Sequence, residues 1–131
     1  MRSVLLIVGG VVQILVTAMH VAMFFAIASS PDLAQRVKET LYIFNAFCVV
    51  TVAFFAYVSL LRRRDLLGTG LGRAVSVFIA LVYLQRGLVE IIVRGFGDPL
   101  WLALFCAIAA LYAVAASSPR STAVRPETTQ P

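Results

Sequence analysis

Apolar residues run almost unbroken through four stretches of the chain, roughly residues 4–28, 41–61, 71–93 and 100–116, and the polar positions collect between them. Each stretch is about 17–25 residues long, enough to cross a hydrocarbon core of ~30 Å at ~1.5 Å per helical residue. The runs are continuous and do not alternate in polarity, which argues against a closed barrel. The pattern predicts an all-α, polytopic membrane protein, with residues 1–116 forming one transmembrane domain. Short connections between consecutive spans favour an antiparallel four-transmembrane-helix bundle. From Ser117 to Pro131 the chain turns to Ser, Thr and Pro without apolar periodicity, the signature of a disordered cytoplasmic tail.

The connections carry turn chemistry. Ser29-Ser30-Pro31-Asp32 ends the first helix, and Pro31 or Asp32 is placed to start a short surface helix through Leu33, Val37 and Leu41. The second connection, Arg62 to Arg73, holds Gly68-Thr69-Gly70-Leu71-Gly72. No strand precedes it and no βαβ unit surrounds it, so a nucleotide-binding loop is unsupported, and a turn with Thr69 at a helix start is expected. The third is short, and Asp98-Pro99 reads as an N-cap followed by proline at the first helical position. Arg2 and the small residues Ala26-Ile27-Ala28 imitate a signal peptide. The apolar run is much longer than the ~7–15 residues of a signal core, so a retained first helix is expected.

Composition agrees with the pattern. Hydrophobic residues make up 61% of the chain and charged residues 13%, against roughly 45–50% and 25% in a soluble domain. The formal charge is +5, and its distribution matters more than its size. Arg62, Arg63, Arg64 and Arg73 flank the second connection, Arg2 precedes the first span, and Arg120 and Arg125 follow the last. In the first connection Arg36 and Lys38 are offset by Asp32 and Glu39, and the third has Arg94 beside Asp98. The positive-inside rule then places both termini and the second connection in the cytoplasm of a multi-pass plasma-membrane protein. With no basic soluble domain, the charge points to topology and anionic lipid headgroups, and nucleic acid is excluded as a partner.

The polar residues inside the spans are fewer and more telling. An ionisable side chain at the bilayer centre costs about 2.5–3.5 kcal/mol on insertion scales, so it marks a partner or a task. Arg86, Glu90 and Arg94 stand at i, i+4 and i+8 on the third span. Under the assigned topology His20 lies on the order of 12 Å below the outer end of its helix. Tyr42, Asn45, Arg86, Glu90 and Trp101 fall in the same half. Helical phase groups Gln13, Thr17, His20 and Phe24 on the first span, with Gly9 and Gly10 extending the stripe for close helix approach. It also groups Asn45, Cys48, Val52 and Ser59 on the second span, Tyr83, Arg86, Glu90 and Arg94 on the third, and Trp101, Phe105 and Tyr112 on the fourth. Turned inward, these stripes enclose a polar chamber open toward the outer side.

Their chemistry suits a lipophilic small molecule. Imidazole is the general acid or base of the neutral range, so His20 is a candidate catalytic group. The planar fork of Arg86 suits a carboxylate, a phosphate or a developing oxyanion. Glu90, with a cation one turn away on either side, reads as a paired carboxylate. His20, Glu90 and Arg86 are therefore the candidate catalytic residues for isomerisation, cyclisation or hydrolysis, with Gln13, Tyr42, Asn45, Tyr83 and Trp101 as candidate ligand-binding residues. Plainer roles stand beside these: a structural Arg86–Glu90 pair, a His20 that bonds a neighbouring helix, Arg94 and Trp101 as interfacial anchors, and Cys48 and Cys106 as small buried thiols. No metal-ligand spacing is present, Met19, His20 and Met23 make a weak soft-metal set, a lone histidine does not support a bis-histidine haem, and no cofactor is expected. Two other functional classes fit the same sequence: a non-catalytic accessory or assembly subunit of a larger membrane complex, and a small homodimeric transporter.

Overall fold

The computed structural model describes residues 2–96 and 99–117. Among them the chain is all-helical: α1 (Arg2–Ser29), α2 (Gln35–Leu61), α3 (Arg63–Gly68), α4 (Gly70–Arg94) and α5 (Pro99–Ala116). The four long helices are apolar enough to cross a membrane. Large apolar side chains such as Phe25, Ile43, Val50, Leu84 and Ile92 stay exposed along them. For a chain whose solvent is lipid this is the expected exterior, because hydrocarbon meets hydrocarbon at no cost.

Two connections differ from their sequence-based expectation. The surface helix expected after Pro31 is continuous with the second span. The Ala34 carbonyl accepts from the amides of Val37 and Lys38 at 2.9 and 3.1 Å, and the sequence from Gln35 to Leu61 contains no proline or glycine to interrupt the helix. The second connection is not a simple turn but contains α3. Arg62 Nε meets Asp65 Oδ2 at 2.5 Å, and this hydrogen bond and charge raise the Arg62 pKa above its ordinary value. Leu66 from the same short helix is buried.

Thr69 does start α4, as expected. Its Oγ1 accepts from the Gly72 amide at 2.9 Å and donates to the Asp65 carbonyl at 2.8 Å, so one hydroxyl caps α4 and ties it to α3. At the far end Gly95 adopts φ 63° while its amide bonds the Ile91 carbonyl at 2.8 Å. Only glycine takes that backbone turn freely. Asp98 and the tail from residue 118 lie outside the described residues.

Helix α1 packs on α2, α4 packs on α5, and α5 joins the pairs through α1, with α3 set against the ends of all four. The core gathers at the end nearest α3, from Leu6, Phe55, Leu66, Ile79, Ile108 and Tyr112. Glycines permit this closeness: a Cβ at Gly9 would stand 3.0 Å from the Tyr112 hydroxyl, and one at Gly10 would stand 2.5 Å from Leu60 Cγ. Buried hydroxyls pair across helices, Ser59 with Tyr112 and Tyr83 donating to Gln13 Oε1, each at 2.5 Å. These bonds let polar groups sit in the interior without the full desolvation penalty. The other end of the assembly is less filled, and a cavity opens there.

Candidate functional site

The cavity has a volume of about 450 Å³ and takes its walls from α1, α2, α4 and α5. Phe55, Tyr83 and Phe105 belong both to the hydrophobic core and to the cavity lining, so the top of the core is the cavity floor. Most of the wall is apolar, with polar groups confined to a few side chains, the usual composition of a small-molecule site.

On α4, Glu90 is buried with its side chain 5% exposed, while Arg86 and Arg94 are about half exposed. Arg86 Nη1 lies 2.8 Å from Glu90 Oε2, and Arg94 Nη1 lies 3.2 Å from Oε1. The i, i+4, i+8 spacing brings the three together on one face. Two guanidinium groups against one carboxylate leave this wall with an excess of positive charge. The Arg86 guanidinium also stands 5.0 Å above the Phe105 ring. Trp101 stacks on that ring with centroids 6.1 Å apart, and Tyr83 approaches it at 6.2 Å. An aromatic platform thus supports the cation from α5, as ring quadrupoles do.

Across the cavity, α1 presents His20. Its Nδ1 lies 2.8 Å from Asn45 Oδ1, and Asn45 Nδ2 donates to the His20 backbone carbonyl at 2.7 Å. Asn45 is buried, so this two-point clamp fixes the imidazole relative to α2. Met19 and Met23 join His20 on the lining.

Of the residues singled out from sequence, His20, Tyr83, Arg86, Glu90 and Trp101 line the cavity. Three others are placed differently. Asn45 stands behind His20 and acts on it. Gln13 is fully buried and accepts the Tyr83 hydroxyl, while its Nε2 has no hydrogen-bond partner among the described residues. Tyr42 stacks on Phe24, with ring centroids 5.8 Å apart and planes at 13°, away from the lining. Cys106 is exposed and not a buried thiol, whereas Cys48 reaches the cavity.

Sequence reasoning does not pick out Phe105, Cys48, Thr51, Met19 or Met23 as site residues, yet all five line the cavity. Signals for some are present: Phe105 follows Trp101 by one turn, Cys48 shares the Asn45 stripe, and the methionines bracket His20 at i, i+4. Apolar residues at such spacing are indistinguishable from core until the facing helices are known. Among the described residues no three His, Cys, Asp or Glu side chains group as metal ligands.

The class these features define is a small helical membrane protein with a part-apolar, part-cationic internal cavity. No protein-family model matches the chain, and comparison with curated proteins and with solved structures gives no significant match.

Proposed function

We propose that this chain binds a lipophilic small molecule inside the membrane, and that His20, Arg86 and Glu90 equip the site for an isomerisation, cyclisation or hydrolysis. The observation that carries this reading is the cavity itself. Its volume of about 450 Å³ falls in the ~300–1,000 Å³ range of small-molecule sites, and it combines an apolar wall with an imidazole and a guanidinium. A lipophile's hydrocarbon part is held by Val52, Phe55 and Val82, and its polar head faces Arg86 and His20.

In this reading the four long helices form an antiparallel bundle in the plasma membrane, both termini are cytoplasmic, and the cavity lies in the outer half. The basic second connection supports that orientation through the positive-inside rule. In a background with Cys48 and Cys106 replaced by alanine, Ser30→Cys will react with a membrane-impermeant maleimide added to intact cells. Arg64→Cys will react only after the membrane is opened. The opposite pattern inverts the orientation and moves the cavity to the cytoplasmic half.

The binding reading is tested by native mass spectrometry of the detergent-purified protein beside Arg86→Leu. Wild type is expected to carry a small lipophile of defined mass, with occupancy of the variant reduced at least about tenfold, equivalent to ~1.4 kcal/mol. The variant keeps the Glu90–Arg94 pair, so it retains a neutralised carboxylate and is expected to fold. A bare chain in both samples, or a protein partner retained by both, rejects the reading and favours the accessory-subunit role.

A further inference from the structure

We infer that His20 is the proton-accepting group of the cavity and that the ligand head is a phenolic hydroxyl, which donates to His20 Nε2. This rests on the reading of the cavity as a lipophile site and names the chemistry of its head group.

The starting point is the clamp between His20 and Asn45. Only the amide nitrogen of an asparagine can donate to a backbone carbonyl, so the 2.7 Å bond from Asn45 Nδ2 to the His20 carbonyl fixes which way the amide faces. The atom opposite His20 Nδ1, at 2.8 Å, is then the amide oxygen. A carbonyl oxygen only accepts, so Nδ1 must carry the hydrogen. In the neutral imidazole the other nitrogen, Nε2, is left with its lone pair. Among the described residues Nε2 has no hydrogen-bond partner, and the side chain lines the cavity. The fold therefore presents an acceptor to whatever occupies that space. Apolar ligands leave such an acceptor unsatisfied, and a ligand hydroxyl satisfies it.

Two further features select the kind of hydroxyl. Phe47, Phe55, Tyr83, Trp101 and Phe105 line the cavity, which suits a flat aromatic ring. Arg86, on the same lining, supplies a fixed cation for negative charge on the ligand oxygen. A phenol meets all three conditions. When its O–H bond breaks, the proton passes to Nε2, the electron pair stays on the phenolate oxygen, and Arg86 faces the resulting anion. Asn45 keeps its bond to Nδ1–H before and after the transfer, so it is a positioning residue that acts through His20.

Two singularities of the sequence make this testable without a variant. His20 is the chain's single histidine and Trp101 its single tryptophan. Nitrogen NMR of the full-length, histidine-labelled protein in detergent, at a pH where the imidazole is neutral, is expected to show the Nδ1–H tautomer, the minor form in free histidine. A dominant Nε2–H tautomer overturns the proposal. Trp101 fluorescence, excited apart from the ligand, then follows titration with para-nonylphenol and with its methyl ether, which has the same ring and tail but no O–H. The phenol is expected to bind at least about tenfold tighter. In His20→Ala the two should bind alike. Asn45→Leu should lose both the preference and, in the nitrogen NMR, the dominance of the Nδ1–H tautomer; a variant that keeps both rejects the positioning role of Asn45. Equal binding of both probes to wild type overturns the hydroxyl assignment while leaving the cavity reading intact. No Trp101 response to either probe overturns both.

Discussion

Replacing Gly72 by alanine is expected to destabilise the chain by at least about 1–3 kcal/mol, the usual cost of forcing extra volume into a packed interior. The added Cβ would overlap the Asp65 carbonyl oxygen and the Leu66 Cα, with the Asp65 carbonyl carbon only 2.7 Å away. These are backbone atoms, so no side-chain rotation relieves the overlap, and α3 must leave its seat on α4. The same movement breaks the bond from the Thr69 hydroxyl to the Asp65 carbonyl and withdraws Leu66 from the core. Gly70→Ala is the internal control, because a Cβ there would meet nothing within 4 Å, and it should change stability by less than about 0.5 kcal/mol. Unfolding of the detergent-solubilised variants, followed by circular dichroism, distinguishes the two. Equal midpoints for Gly72→Ala and wild type would mean that α3 does not pack on α4 in this way.

Glu90→Leu is expected to cost about 1–3 kcal/mol, and more than Arg86→Leu. Breaking a buried ion pair typically costs ~3–5 kcal/mol because the surviving charge stays buried. Here the survivors are Arg86 and Arg94, both about half exposed, and their long stems let the heads swing toward the interface. The cost is reduced accordingly but not abolished, since two cations then share one helix face without an anion. Arg86→Leu leaves Glu90 its partner Arg94 at 3.2 Å, so its loss should be smaller. A double-mutant cycle on Arg86 and Glu90 measures the coupling directly. A Glu90→Leu protein as stable as wild type would show that the cluster exists for the cavity alone and contributes nothing to the fold.

Both predictions concern contacts of a kind that sequence reports unevenly. Arg86, Glu90 and Arg94 lie on one helix, and a fixed rise and turn place them on a common face before any partner helix is known. Their grouping is legible for that reason. The Gly72 contact joins two helices, one of them, α3, too short to stand out in a hydrophobic profile. Its six residues contain no apolar period, and it exists because Leu66 has a core to enter and Asp65 a carbonyl for Thr69 to bond. Tyr42 shows the opposite failure. Depth placed it beside the candidate site, yet its ring turns to Phe24, because depth along a helix does not fix rotation about the helix axis.

Four long apolar helices, the Thr69 start of α4, the Gly9–Gly10 approach surface and the charged face of α4 were all readable from the order of residues. Each follows from local chemistry: the length of an apolar run, a capping hydroxyl, the absence of a side chain, a period of 3.6. It took the assembled helices to show that the core fills the end near α3 and leaves about 450 Å³ open at the other. The same assembly sets Gln13 against Tyr83 and Asn45 against His20, separations of 70 and 25 residues along the chain. Those pairings depend on how four helices rotate and slide against one another, which is set by side-chain packing between them. That packing also decides which nitrogen of His20 is taken up by Asn45 where the side chain lines the cavity.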